Sequence, residues 1–373
     1  MLTPIQQHWD NATAEYNLEK YNWPAWALSV IQEVAPEVTE LETMHTVLEP
    51  SQLVRVQQHV QNACSRRDFM EKFDQYAAEI VKDRIDGRRY LIQRQGTLRV
   101  VIPNQASVGR RLAFHQGIMV GNGRDCRTIW TPFTKCGGTN TMWIMDLDVS
   151  REITKRVLSE KWSLQHFEDV CIAESWPVTL VPGQAHLFMQ EHIHGNVNNE
   201  DNYTRVSLDM RILLEGEEWG RRLPGGFFRL PGDYEVDEIR DYTGKRFITY
   251  AGWNTVFSKN IPLPMQRGVI EPYCKKHNIS YNDYQFENEH MDWLPGLEDD
   301  ILQQPHGIVM CSMFSLPDDP VRRDELLELA LEKNVELHFA NELCSLRSRD
   351  DLTKLQTYLN FAVPKKGLYV WEE

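Results

Sequence analysis

The sequence has no long apolar run, no CxxC pair and no recognisable export signal. No hydrophobic stretch approaches the roughly 20 apolar residues that a membrane-spanning helix requires. The seven cysteines are scattered and odd in number, so we interpret them as reduced thiols. The first residues lack the basic and apolar regions of a secretory signal. We therefore expect a cytoplasmic protein without membrane association.

Positive charge is also scarce, since 40 Lys and Arg residues stand against 54 Asp and Glu residues, a net charge of -14. Such a chain repels phosphate backbones, and general nucleic-acid binding is not expected. Internal repeats and low-complexity tracts are absent. What is present is a hydrophobic content of 42% in 373 residues, enough to bury sizeable cores in two domains.

The first two thirds of the chain change from a helical to a strand-like texture. Apolar residues recur at helical spacing over 24–34 and 51–81. From about residue 89 to 214, short runs rich in β-branched and aromatic residues alternate with Gly, Pro and Asn, which is typical of an antiparallel barrel or jelly roll. The clearest of these runs are 98–101, 127–133, 140–145, 178–181 and 204–213.

The last third of the chain has a different pattern. Residues 215–244 are rich in Gly, Pro and charge and predict a loop or linker. Beyond them, predicted strands alternate with predicted helices, which indicates a small parallel α/β sheet. The predicted strands are 247–250, 307–312 and 335–340, and the predicted helices are 267–276 and 319–333.

These patterns predict two domains. Residues 1–240 are expected to form an α+β domain, a double-stranded β-helix (jelly roll, cupin-like) with flanking helices. Residues 244–373 are expected to form a small α/β domain with a parallel sheet. The amphipathic helix predicted at 319–333 is expected to pack mainly against the core of the second domain.

Two histidines in the strand-rich region are candidate metal ligands. His115 stands in Phe-His-Gln-Gly, and His194 stands in His-Ile-His-Gly-Asn. Neutral imidazoles are suitable ligands for a non-haem iron(II) that must keep open positions for a cosubstrate and oxygen. Histidines on adjacent strands can converge even when they are distant in sequence.

Arg205 is a candidate carboxylate-binding residue, and it stands eleven residues after His194. A guanidinium group can bind a carboxylate through two parallel hydrogen bonds. On a β-strand, Arg205, Ser207 and Asp209 share one face because side chains alternate along the strand. Arg205 and Ser207 can therefore reach the same carboxylate.

Taken with their flanking residues, these motifs resemble the Fe(II)/2-oxoglutarate oxygenases, in their phytanoyl-CoA-dioxygenase-like branch. The resemblance covers about residues 91–214 and is nearest to members found in sporadic bacterial carbohydrate and aminoglycoside gene clusters. It implies that His115 and His194 bind Fe(II), and that Arg205 and Ser207 bind 2-oxoglutarate. Thr131, in the Trp-x-Pro-x-Thr segment of this chain, is taken as a further cofactor-binding residue. O₂ is the implied oxidant.

Gly117 departs from the family pattern, because it stands where the family has a carboxylate ligand. A small residue here is similar to the iron- and 2-oxoglutarate-dependent halogenases, in which chloride takes the open position. Hydroxylation with another third ligand or water is an equal alternative. Candidates for that ligand are Glu191, His192 and Asp125. A further alternative is a catalytically inactive carbohydrate-binding module.

The second domain resembles a second protein family that is found beside these oxygenases in sporadic carbohydrate gene clusters. That family is similar in fold to the flavodoxin-like catalytic domain of serine recombinases. The matching segments are 250–252, 264–266, 273–274, 307–309, 315–317 and 337–342. A recombinase would need a nucleophilic serine, for which Ser258 is a candidate, and a group of arginines, for which Arg322 and Arg323 are candidates. It would also need a basic DNA-binding tail, and the domain lacks such a tail. We therefore predict a non-catalytic domain that serves in homodimer formation, as a lid or in substrate recognition.

Together these observations predict an enzyme that attacks an unactivated C–H bond. The resemblance implies a small polar substrate such as a sugar, a cyclitol, a nucleotide or a related natural-product intermediate.

Overall fold

The computed structural model describes residues 3–104, 114–234, 239–252, 254–281, 284–287 and 290–361. The chain forms two compact units. The first unit comprises residues 1–222 and 228–234, and the second comprises residues 223–227 and 235–373.

The first unit contains seven helices and ten strands among its described residues. Its helices are α1 (Pro4–Gln7), α2 (Leu18–Tyr21), α3 (Trp23–Gln32), α4 (Pro50–Ala63), α5 (Arg67–Val81), α6 (Leu147–Glu160) and α7 (Leu164–Glu174). Its strands are β1 (Ala12–Glu15), β2 (Tyr90–Gln93), β3 (Thr97–Val101), β4 (Arg127–Pro132), β5 (Trp143–Ile144), β6 (Trp176–Pro177), β7 (Gln184–Met189), β8 (His194–Gly195), β9 (Arg205–Leu214) and β10 (Phe228–Arg229).

These strands form two antiparallel sheets. The larger sheet has seven strands in the order β1-β7-β4-β9-β2-β10, with β3 also paired to β9. The smaller sheet has the order β6-β5-β8. Strand β9 lies centrally in the larger sheet and pairs with β2, β3 and β4. The antiparallel sheets that the strand texture predicted are therefore present.

The two faces of the larger sheet bury different groups, because successive residues of a strand point to opposite sides. Ile129 and Met210 lie in the core that also contains α3 and α5 residues such as Trp23 and Phe73. Trp130, one residue further along β4, belongs instead to a cluster with Met142, Ile144 and Phe188. This second face, together with residues of the smaller sheet, encloses the polar pocket described below.

One buried ion pair holds the end of the larger sheet to a core helix. The Asp74 carboxylate on α5 accepts two hydrogen bonds from Arg229 on β10, at 2.7 and 2.9 Å. Both side chains are almost wholly buried, and Asp74 also accepts the Gly232 amide N–H at 2.7 Å. Strand β10 pairs with β2 through Arg229 and Phe228.

The chain does not pass from the first unit to the second at a single point. The prediction placed the change of domain at 240–244, whereas residues 223–227 already belong to the second unit. The chain then returns to the first unit, because β10 completes the larger sheet there.

The second unit is an α/β sheet with helices between most of its strands. Its strands are β11 (Phe247–Ala251), β12 (Tyr284–Phe286), β13 (Gly307–Met310), β14 (Glu336–Phe339) and β15 (Cys344–Leu346). Its helices are α8 (Leu263–Lys276), α9 (Pro295–Leu302), α10 (Pro320–Glu332) and α11 (Arg349–Phe361). The strand order is β12-β11-β13-β14-β15, with the first four parallel and β15 antiparallel to β14.

Among the described residues, none of the helices combines the length and the apolar character that crossing a membrane requires.

Candidate functional site

The first unit contains a small pocket, open to solvent on one side, that polar and aromatic side chains line. The strands of the larger sheet supply one wall, and the segments around β5 and β8 supply residues opposite it. The pocket is lined by Arg99, His115, Thr128, Trp130, Met142, Phe188, His194, Gly195, Asn196, Arg205, Asp209 and Arg211. Both predicted metal ligands and the predicted carboxylate-binding arginine therefore line a single pocket.

His115 and His194 are brought together by backbone pairing. The amide N–H of each residue donates to the carbonyl oxygen of the other at 3.0 Å, in an isolated antiparallel bridge. Their ring centroids are 4.5 Å apart. Strand β8 is in turn fixed to β5, where His194 lies opposite Ile144. Two histidines 79 positions apart thus present their rings side by side.

The hydrogen bonding of His194 suits a metal ligand. Its Nδ1–H donates to the backbone carbonyl of His192 at 3.0 Å, which leaves Nε2 as the nitrogen with a free lone pair. Burial lowers the pKa of His194 well below its usual value, and the nearby His115 lowers it further. The ring is therefore neutral at neutral pH, and a carbonyl partner of this kind orients ligating histidines in metal sites.

The side chain of His192, whose carbonyl accepts the bond from His194, is itself fixed by hydrogen bonds. The buried His192 ring binds the Asp10 carboxylate through Nε2 at 2.9 Å. Its Nδ1 accepts the Met189 amide N–H at 3.2 Å. The Asp10 pKa is lowered chiefly by the hydrogen bond from His192. The N-terminal segment thereby fixes the loop that carries His194.

Replacing Asp10 with asparagine should weaken metal binding about tenfold, because the loop that orients His194 loses a charge-assisted bond. The measurement is Fe(II) or Co(II) affinity by competition with a chelator. Asp148→Asn, which removes an exposed acid on α6, is the matched control. Equal metal affinity in the two variants would contradict the supporting role of Asp10.

Arg205 is suited to bind a carboxylate. The residue is 1% exposed, and its Nε and Nη1 atoms find no hydrogen-bond partner among the described residues. Burial lowers its pKa to about 10, so the guanidinium remains charged at neutral pH. It lies 5.9 Å from the Trp130 ring centroid, which restricts its orientation. Buried donors without partners cost free energy, so a bound anion would stabilise them.

Ser207 and Thr131 have different positions relative to this arginine. Ser207 shares the Arg205 face of β9, and its buried Oγ has no hydrogen-bond partner in the described part of the chain. Thr131 lies on the opposite face of β4, where its hydroxyl contacts the Tyr76 hydroxyl at 2.7 Å in the helix-covered core. The structure therefore corrects the prediction for Thr131, because the alternation of β4 turns its side chain away from the pocket.

The position beside Gly117 is occupied by another side chain. A Cβ atom on Gly117 would lie 1.7 Å from the Gln190 Oε1 atom and 2.6 Å from its Cδ atom. Gln190 is buried and held by the Thr128 hydroxyl at 2.6 Å and the Asn122 amide at 2.9 Å. Gly117 itself does not line the pocket. The prediction of an open halide position directly at Gly117 is thus corrected, since Gln190 fills the space where a side chain would start.

Replacing Gly117 with alanine should lower the free energy of unfolding by about 1–3 kcal/mol, because the methyl group overlaps the fixed amide of Gln190. The double variant Gly117→Ala, Gln190→Ala should recover part of this loss. Chemical denaturation of the three proteins measures both effects. If Gly117→Ala is as stable as the unaltered protein, Gln190 does not fill the position that a Cβ atom on Gly117 would take.

The other candidates for a third ligand are engaged elsewhere or lie apart. Glu191 is bound by Arg151 at 2.8 Å and lies 3.6 Å from Arg124. His192 is held by Asp10 in the network above. Among the described residues, which include Asp125, no group of three or more His, Cys, Asp or Glu side chains is placed to hold a metal ion. The donors present fit an iron held by two imidazoles, without a protein carboxylate.

The sequence did not single out three residues around this site, namely Asp10, Gln190 and Arg99. Arg99 lies on β3 opposite Ser207, which places it on the pocket face. Its only sequence signal was alternation along a short strand. Asp10 and Gln190 carried no signal, because their roles depend on contacts between distant segments.

The recombinase-like residues of the second unit are not arranged as a nucleophilic site. Ser258 is 2% exposed, and its hydroxyl contacts the Thr255 hydroxyl at 2.8 Å. Arg322 forms ion pairs with Glu298 and Glu325, and Arg323 donates to Asn360 at 2.7 Å. These arginines therefore serve the local structure of α10.

Comparison with known proteins gives one curated relative. It is the streptomycin biosynthesis protein StrG of Streptomyces griseus, which is 29% identical over 122 residues, 33% of this chain and 46% of StrG. The chain thus matches less than half the length of that relative. No protein-family model matches the chain.

Solved structures of low similarity include EctD from S. alaskensis with bound Fe, with 13% identity and a TM-score of 0.36 over 58% of this chain and 77% of that one. Another is SnoK, a non-haem α-ketoglutarate-dependent carbocyclase from nogalamycin biosynthesis, with 10% identity and a TM-score of 0.34 over 59% and 87% of the two chains.

Proposed function

We propose that this chain is a non-haem iron enzyme that uses 2-oxoglutarate and O₂ to oxidise an unactivated C–H bond of a small polar metabolite. The observation that carries the proposal is the convergence of His115, His194 and Arg205 on one pocket. The two imidazoles are adjacent, and the arginine offers buried donors with no partner among the described residues.

Each residue has a defined part in this proposal. His194 binds iron through Nε2, and His115 supplies the second nitrogen. Arg205 binds the distal carboxylate of 2-oxoglutarate, and the Ser207 hydroxyl is available to the same group. Bound iron supplies the activation of O₂. The apolar side chains of Trp130, Met142 and Phe188 help exclude water around these groups.

The name of the StrG relative places that protein in streptomycin biosynthesis. We extend this context to the present chain as a proposal: the substrate is a sugar, a cyclitol or a related intermediate of carbohydrate-containing natural products. The polar lining residues Asn196, Thr128 and Asp209 can hydrogen-bond such a substrate.

The decisive experiment is an anaerobic titration of the Fe(II)-loaded protein with 2-oxoglutarate. A metal-to-ligand charge-transfer band is expected, since 2-oxoglutarate would bind the iron directly. His194→Ala should abolish the band, whereas His166→Ala, an exposed histidine on α7, should retain it. Absence of the band in the unaltered protein would overturn the proposal. Binding of sugars without succinate formation would instead favour an inactive carbohydrate-binding module.

Halide transfer is a second candidate outcome of the same chemistry. It would require chloride to bind the metal at a position other than the one beside Gly117, which the Gln190 side chain fills. Product mass with and without chloride separates the two outcomes. Hydroxylated product whose mass is unchanged by chloride would exclude halogenation.

For the second unit we propose a non-catalytic role, such as homodimer formation, because the Ser258 hydroxyl is buried and engaged by Thr255. Ser258→Ala should therefore leave turnover unchanged, and a loss of turnover without loss of folding would contradict this role.

A further inference from the structure

The pocket contains more positive charge than 2-oxoglutarate requires. Besides Arg205, both Arg99 and Arg211 line it. Arg211 donates through Nη1 to Gln93 Oε1 at 2.9 Å, while its buried Nε has no hydrogen-bond partner in the described ranges. The Arg99 side chain is 29% exposed, so it can reach a ligand that enters from solvent.

A single carboxylate stands among these arginines. Asp209 Oδ1 lies 3.6 Å from Arg99 Nε, and Asp209 Oδ2 lies 3.6 Å from Arg211 Nη2. Both contacts are ion pairs longer than ordinary hydrogen bonds, and the single negative charge of one carboxylate cannot balance two guanidinium charges. Asp209 Oδ1 also has no hydrogen-bond partner among the described residues. One aspartate is thus shared by two arginines.

The charge of the loaded pocket follows from this count. Three arginines and one aspartate among the lining residues give a net charge of +2, not counting the two histidines. Iron(II) and the 2-oxoglutarate dianion offset each other, so the sum stays at +2. Apart from Asp209, no carboxylate among the described residues lines the pocket and lowers this sum further. In a partly buried site such a charge strongly favours an anion.

We infer that the substrate is itself an anion, a phosphate ester of a small polar metabolite, with its phosphate bound between Arg99 and Arg211. This inference rests on the proposed function, which assigns Arg205 to 2-oxoglutarate. A phosphate monoester carries about -1.5 to -2 charges at neutral pH, which matches the uncompensated charge. Arg211 and His194 line the same pocket. A phosphate there holds the attached carbon skeleton beside the histidine pair.

The test compares glucose 6-phosphate, inorganic phosphate, glucuronate and glucose as probes. Each is titrated into anaerobic full-length protein loaded with Fe(II) and 2-oxoglutarate, followed by calorimetry. Glucose 6-phosphate should bind at least about tenfold more tightly than glucose, as expected when charged hydrogen bonds are gained. Arg99→Gln and Arg211→Gln should each weaken it by roughly 10- to 100-fold with an unchanged 2-oxoglutarate affinity. Arg156→Gln, an exposed arginine of α6, is the matched control.

Several outcomes overturn the inference. Equal affinities for glucose and glucose 6-phosphate would do so, as would tighter binding of glucuronate than of either phosphate. Phosphate binding that both arginine variants leave unchanged would also overturn it. Because Arg99 is the more exposed of the two, its variant gives a clear result even if Arg211→Gln fails to fold. A missing charge-transfer band with arginine-dependent phosphate binding would overturn the proposed function alone.

Discussion

Replacing Arg205 with methionine is expected to abolish 2-oxoglutarate binding and, at the same time, to stabilise the ligand-free protein. The guanidinium is buried with two donor atoms that no described residue satisfies. An apolar side chain of similar length removes that desolvation cost, and the free energy of unfolding should rise by about 1–3 kcal/mol. The loss of charge-assisted bonds to a carboxylate should weaken 2-oxoglutarate binding by at least about 100-fold.

Two measurements decide this prediction, namely 2-oxoglutarate affinity by calorimetry and ligand-free stability by denaturation. Arg205→Lys is the control, because it keeps a charge but loses the planar fork of donors. It should weaken 2-oxoglutarate binding without stabilising the protein. If methionine destabilises the ligand-free chain as much as an ordinary core substitution does, then the arginine is serving the fold and not a ligand.

Replacing Asp74 with asparagine is expected to have the largest effect on stability, about 3–5 kcal/mol of unfolding free energy. The change leaves the Arg229 charge buried without its counter-ion, and it weakens a bidentate pair with contacts of 2.7 and 2.9 Å. Tryptophan fluorescence suits the measurement, since eight of the 11 tryptophans belong to the first unit.

The double variant Asp74→Leu, Arg229→Met separates the pair from its surroundings. Removing both charges avoids an uncompensated ion, so this variant should be more stable than Asp74→Asn alone. The single variant Arg229→Met provides the reference. If the losses of unfolding free energy in the two single variants add up to the loss in the double variant, the two side chains act independently.

The elements with local signals were predicted well from the sequence. The helix predicted from apolar spacing over 24–34 corresponds to α3, whose first turn contains Pro24 and whose cap residue Asn22 accepts the Ala25 amide N–H. Helices α6 and α7 were nevertheless missed, because they interrupt a region whose overall texture is that of strands. Asp146 and Ser163 stand at their N-caps and could have revealed them.

The sequence predicted those features of the candidate site that depend on the alternation of side chains within one strand, but not those that depend on how strands pair. The shared face of Arg205 and Ser207 followed from the two-residue period of β9. The direction of the Thr131 side chain depends on the register between β4 and β9. In this register Trp130 lies opposite Asp209, so Thr131 lies opposite Leu208 on the other face of the sheet. That register results from long-range packing. The same holds for Gln190, which meets Gly117 across 73 residues of sequence.

The return of the chain to its first unit has a consequence for synthesis on the ribosome. Helix α5 emerges with Asp74, but Arg229 follows 155 residues later. Until then, nascent α5 carries a carboxylate that cannot be buried with its native counter-ion. The segment 223–227, which belongs to the second unit, must also leave the ribosome before β10 can close the sheet. The first unit therefore cannot complete its fold until residues 228–234 have been made, and a nascent chain stopped at residue 222 should remain open to proteases.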